Sequence, residues 1–161
     1  MQRMDGRQVL LPYRCGSQQK PGLKEPNMLL PHGCYVALVD GETFDLYRNA
    51  GAEAEPQLLL LDPPEIDSTN HSGGSHRSSP GNHADSQVAE DAHARAAAHW
   101  LNSQVLRRRI KDLVILAPPR TLGEMRKHYH RKLQEVLRKE VGKDLAGFHP
   151  RDIMLALREE R

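Results

Sequence analysis

Cysteine is scarce in this chain, and long apolar runs are missing altogether. Only Cys15 and Cys34 are present, which excludes a disulfide framework and any thiolate-rich zinc site and fits a reducing compartment. No stretch reaches the roughly 18 apolar residues of a membrane span. The N-terminus also lacks the apolar core of about 7–15 residues that marks a signal peptide. Together these absences lead to the expectation of a cytoplasmic chain with no membrane insertion. Neither GxxxxGK[ST] nor a G-x-G-x-x-G following a strand occurs, so no glycine loop is on hand to cradle a nucleotide phosphate. No cofactor is expected.

The chain has 161 residues and a formal net charge of +2, a size that suits a single core. The charge is unevenly distributed. Residues 40–67 hold eight acids against the single base Arg48, whereas residues 107–139 hold eleven Lys and Arg against three acids. A basic half of this kind permits a polyanion partner such as RNA, because clustered cations release condensed counterions on binding. The competing explanation is an ordinary solvated helix face.

Residues 1–27 mix Gly, Pro, Gln and charge without periodicity, the pattern of a disordered N-terminal extension. Order is expected from Met28. Apolar residues 35–39, then Asp40-Gly41, then alternating residues 43–48 predict a hairpin, either with Gly41 free to take positive φ in a tight turn or with the flanking residues extending the loop. Residues 57–62, "QLLLLD", predict a third strand buried on both faces and stopped by Pro63-Pro64. A Ser/His/Gly-rich flexible loop is expected over about 63–87, with too little apolar surface to repay ordering; its Asn70-His71-Ser72 is a chance sequon. A helix follows over 88–107, with Ala94, Ala97, Ala98, Leu101 and Val105 forming an apolar stripe. Residues 113–117 are entirely apolar and closed by prolines, as expected for a central parallel strand.

Next comes the corner Pro118-Pro119-Arg120-Thr121. Thr121 and Glu124 have capping-box spacing and predict a helix start there, with Leu122, Met125, Tyr129 and Leu133 on its buried face. Free N–H groups beside Arg120, at the carboxyl end of a strand, make a candidate anion site; the competing account is a plain corner in which two prolines end the strand, Thr121 caps the helix and Arg120 is solvated. Arg120, Thr121, Arg126, Lys127, Arg131 and Lys132 are the candidate ligand-binding residues. Residues 135–145 fit helix or strand equally. A last helix is expected from His149-Pro150, with proline in the first turn.

The stretches "MLLPHGCYVALVDGETFDLYRN", "LVILAPPRTLGEMRKHYHRKLQEV" and "EVGKDLAGFHPRDI" resemble the bacterial host attachment protein family, whose name refers to attachment to host cells. The match runs from about Met28 to the C-terminus. Its motif residues are Asp40, Gly41, Pro118, Pro119, Lys143, Asp144, His149 and Pro150. That family looks related to the central domain of archaeo-eukaryotic release factors. The resemblance therefore implies a single domain over 28–161 of α/β class with a ribonuclease-H-like mixed sheet: a three-strand meander, then helix-strand-helix-strand-helix, with 136–143 as a strand. It also makes Met28 the expected start and residues 1–27 an upstream extension.

Functionally the resemblance implies a non-enzymatic binding or regulatory module with an unidentified protein partner, acting on attachment indirectly. The alternative is a ribosome- or RNA-binding factor. Release factors carry a Gly-Gly-Gln tripeptide, whereas here Gly73-Gly74 is followed by Ser75, so peptide-release chemistry is not expected. A metal-dependent nuclease would need several converging carboxylates; Asp40 ends a strand suitably, but the next strand exits into Pro118-Pro119-Arg120. His128 and His130 diverge on a helix, and His71, His76 and His83 lack acid or thiolate companions, so no metal site is expected. Cys34, with His32 near it in sequence only, reads as a buried small residue rather than a nucleophile.

Overall fold

The computed structural model describes residues 30–67 and 83–159. The expected extension 1–27, the start at Met28, and the loop positions 68–82 with their sequon and glycine pair lie outside those residues. The chain runs β1 (Tyr35–Val39), β2 (Phe44–Asn49), β3 (Leu58–Leu60), α1 (His83–Leu106), β4 (Leu113–Leu116), α2 (Pro119–Arg126), α3 (Arg131–Val136), β5 (Leu137–Val141) and α4 (Pro150–Glu159). One five-stranded sheet has the order β3-β2-β1-β4-β5. The β1–β2 and β2–β3 pairs are antiparallel, while β1–β4 and β4–β5 are parallel. This single α/β domain is consistent with a ribonuclease-H-like fold, and 137–141 is a strand.

Strand alternation divides the core in two. Ala37, Val39, Leu46 and Ile115 face the helical stripe Ala94, Ala97, Ala98, Leu101 and Val105, all of them buried. Val36, Leu38, Val114 and Val141 face the other way, toward Ile153, Ala156 and Leu157 of α4. Small alanines let α1 lie close on the sheet. The opposite layer relies on larger side chains; fully burying an Ile or Leu stabilises by about 1.5–3 kcal/mol, and Ile153 is completely buried. All four residues of β4 are buried, as the unbroken apolar run requires of a strand covered on both sides.

The loop expected over about 63–87 ends earlier, since α1 begins at His83 and not near Val88. Four other expectations need correction. First, β3 is not buried on both faces: it is a three-residue edge strand, with Leu59 55% and Leu60 60% exposed. Four consecutive leucines signal an apolar strand but not its position in the sheet. Second, the hairpin takes the longer of its two expected connections, a loop over the four residues 40–43, and positive-φ glycines among the described residues are Gly33 and Gly147, not Gly41. Asp40 builds the loop itself: its Oδ1 accepts from the N–H groups of Glu42 (2.6 Å) and Thr43 (2.5 Å). What Gly41 supplies is room, since a Cβ there would lie 2.6 Å from Cγ of Glu90.

Third, α2 begins at Pro119 with Pro118 as its N-cap, and no side chain caps it. Thr121 therefore sits inside the first turn. Glu124 turns to Lys127 and His128 instead of reaching back. Proline supplies the fixed φ that a first helical position needs, and it has no N–H of its own to satisfy. Fourth, the helix expected through Leu133 breaks after Arg126. Asn102 of α1, only 9% exposed, donates from Nδ2 to the His128 carbonyl (2.8 Å) and accepts from the His130 N–H (2.9 Å). His130 then caps α3 by accepting from the Lys132 N–H (3.0 Å). Tyr129 lies in this break, half-buried, while Leu122, Met125 and Leu133 are buried as expected.

The end of α1 is also unusual. The Arg109 N–H bonds the Gln104 carbonyl (3.0 Å) and the Arg108 N–H the Val105 carbonyl (2.9 Å), the paired bonds of a Schellman C-cap. Its left-handed position, normally glycine, is held by Arg108 at φ 58°, which costs roughly 1 kcal/mol or more for a residue with a Cβ.

Candidate functional site

Because β1, β4 and β5 are parallel, their carboxyl ends share one edge of the sheet, where ligands collect in open α/β folds. Asp40 and Gly41 follow β1, Pro118, Arg120 and Thr121 follow β4, and Asp144 follows β5. With Glu42 and Glu90 they line a cleft of about 360 Å³. Three motif segments far apart in sequence thus meet at one place.

The electrostatics there are mostly acidic. Asp40, Glu42, Glu90 and Asp144 line the cleft, and the one lining guanidinium, Arg120, lies 3.5 Å from Asp91 on α1. Partial burial alone would raise the Asp40 pKa. The backbone N–H groups of Glu42 and Thr43, the Thr43 hydroxyl and nearby His93 outweigh that and hold the carboxyl below the usual range. Among the described residues no three His, Cys, Asp or Glu side chains are grouped closely enough to hold a metal ion.

The other candidate cations lie away from this cleft, and each has an acid partner. Arg126 binds Glu140 through Nε (2.9 Å), and the same carboxylate accepts from the Tyr129 hydroxyl (2.9 Å). Burial first, then Glu140, pushes the Tyr129 pKa well up, so its phenol stays a donor. Lys127 pairs with Glu124, while Arg131 (3.7 Å) and Lys132 (2.8 Å) share Glu135. Of the remaining motif residues, Lys143 reaches Glu159 of α4 (3.8 Å). The His149 carbonyl accepts the first N–H groups of α4, which Pro150 opens. Pro119 packs near Gly142, where an added Cβ would lie 3.6 Å from its Cγ.

Cys34 is fully buried. Burial, then Asp112, pushes its pKa up to about 12, against the opposing pull of Arg138; the group is a thiol at neutral pH and not an activated nucleophile.

Sequence reasoning missed several polar residues. Glu90 and Asp91 sit on a helix read only for its alanine stripe. His93 is 8% exposed, with no hydrogen-bond partner for Nε2 among the described residues, and it lines a second cleft of about 550 Å³ with Glu42, Asp45 and Glu65. Asn49 and Asn102, the buried clamps, carried no periodic signal. A run of three arginines, Arg107 to Arg109, was counted in the basic half but not singled out.

Comparison with curated proteins gives no match. No helix among the described residues is long and apolar enough to cross a membrane. Residues 34–157, from the end of the loop preceding β1 into α4, match the sequence model of bacterial archaeo-eukaryotic release factor family 12. That match covers the whole sheet and the convergent cleft, and the chain belongs to the bacterial archaeo-eukaryotic release factor family 12.

Proposed function

We propose that this chain is a non-enzymatic factor that associates with ribosomes or RNA, and that any influence on attachment to host cells follows from that association. The observation that carries the reading is the basic half: residues 107–139 hold eleven cations against three acids. In the folded chain Arg107, Arg120, Arg126, Arg131 and Arg138 are all exposed. Kinship with release factors supports it, and the missing Gly-Gly-Gln tripeptide argues for binding without peptide release. The cytoplasm is the compartment this reading requires.

A protein partner is the second reading, favoured by a specific feature. Between β3 and α4 runs a groove of about 500 Å³ lined by Pro56, Leu58, Met154 and Leu155, beside the exposed leucines of an edge strand whose outer side is open to pairing. Sedimentation with bacterial ribosomes through sucrose at low and moderate salt separates the two. Co-sedimentation that falls with salt is expected, and Arg120→Ala and Arg126→Ala/Lys127→Ala show whether the sequence-nominated cations take part. Absence from the ribosome pellet at low salt, together with no binding to free RNA, refutes the proposal and leaves the groove as the site to pursue.

A further inference from the structure

The cations of the basic half are not equivalent once the chain is folded. Those nominated from sequence are matched by acids, Arg120 by Asp91 of α1 and Arg126 by Glu140 of β5 across the fold, Lys127 by Glu124 and Arg131 and Lys132 by Glu135 within their own helical segments. Arg107, Arg108, Arg109 and Lys111 are exposed and make no side-chain hydrogen bond or ion pair among the described residues. The one acid in their loop, Asp112, is occupied by Arg138 at 2.6 Å. Four uncompensated charges thus stand within five residues, anchored by buried Ile110. They sit where the loop enters β4, at the amino ends of the parallel strands and so at the opposite edge from the acidic cleft.

A second, independent feature marks the same loop. Cations are welcome at a helix C-terminus because of the helix dipole, but the dipole does not favour arginine over glycine at the left-handed position of a Schellman cap. Arg108 occupies that position at φ 58°. Strained residues of this sort cluster where function holds them, and here a hydrogen-bonded cap fixes the backbone from which three consecutive arginine side chains project.

We propose that the loop Arg107–Lys111 is the surface that takes the phosphate backbone of RNA, rather than the Arg120 corner. This rests on the reading of the chain as an RNA- or ribosome-associated factor. Guanidinium pairs with phosphate oxygens in bidentate fashion, and unpaired cations gain the full counterion-release term, whereas ion-paired ones must first surrender an acid.

The test uses the full chain and a fluorescein-labelled single-stranded RNA of mixed sequence, titrated by anisotropy across a salt series. Arg107→Gln/Arg109→Gln/Lys111→Gln should weaken binding at least about tenfold and flatten the log–log salt slope by roughly 0.7 per phosphate contact removed. Arg126→Gln/Lys127→Gln should change little. Arg108→Gly is the discriminating variant: relief of the left-handed strain should raise the thermal midpoint while RNA binding falls, a combination that a purely structural arginine does not produce. Wild-type binding that survives the triple substitution overturns the assignment of this loop and leaves RNA association intact. A wild-type chain that binds neither the RNA nor ribosomes, or that binds polyglutamate instead, overturns the underlying reading as well.

Discussion

Asn49 is fully buried at the end of β2 and uses all its hydrogen-bonding capacity. Its Nδ2 donates to the carbonyls of Leu30 (2.8 Å) and Pro31 (3.2 Å), and its Oδ1 accepts the N–H groups of Gly51 and Gln57 (2.9 Å each). One side chain therefore joins the segment preceding β1 to both ends of the β2–β3 connection. Asn49→Ala removes four neutral hydrogen bonds, each worth about 0.5–1.5 kcal/mol net. The bond to Leu30 is buried, while the other three are partly buried and can recover something from water. The expected loss is roughly 3 kcal/mol, a large share of the 5–15 kcal/mol typical of a domain. In urea, with a slope of about 2 kcal/mol/M, the midpoint should fall by about 1.5 M at unchanged slope. Asn49→Asp supplies a signature that a generic cavity lacks. Its carboxylate would face two carbonyls at neutral pH, and protonation at acid pH would restore one donor, so this variant should recover part of the loss as pH falls. A cost under about 1 kcal/mol for Asn49→Ala would falsify the clamp.

Three further outcomes are expected. Thr121→Ala should stay within about 0.5 kcal/mol of the parent in urea unfolding, because Thr121 makes no cap in α2; a loss near 1 kcal/mol would reinstate the capping box. Asp40 has a folded pKa below its unfolded value, so its carboxylate stabilises at pH above about 4, and that contribution disappears as pH falls through the lower folded value. Asp40→Asn should remove this part of the acid dependence of the urea midpoint, and an identical profile in parent and variant would refute it. In a Cys15→Ala background Cys34 should resist iodoacetamide at neutral pH until the chain is unfolded, since its pKa is pushed up to about 12; rapid native-state alkylation would contradict the burial.

Three strong local signals in the sequence agree with the structure. The β1–β2 hairpin follows from two apolar stretches around Asp40-Gly41, α4 from His149-Pro150, and β4 from an unbroken apolar run that only a covered strand tolerates. Alternation at 135–145 was undecided because Leu137, Lys139 and Val141 satisfy both periods. Resemblance pointed to a strand there, and pairing with β4 from Leu113 to Leu116 is what holds it extended. The candidate site was half legible: Asp40, Gly41, Pro118, Arg120, Thr121 and Asp144 were named, but Glu90 and Asp91 came from a helix whose polar face gave no sign of what it would meet.

The sequence by itself determined much of the local alphabet of this protein: the β1–β2 hairpin, the alanine-striped helix, a β4 covered on both faces, the C-terminal helix, and that one half is basic. Tertiary structure alone decided that four leucines form an exposed edge strand, that Asn102 splits the helix after α2, and that three motif loops converge on an acidic cleft. It also decided which cations are matched. Apolar periodicity and backbone preference act between neighbours in the chain, whereas hydrogen bonds and ion pairs across 26 residues, as between Asn102 and His128 or Arg138 and Asp112, exist only once the chain is folded.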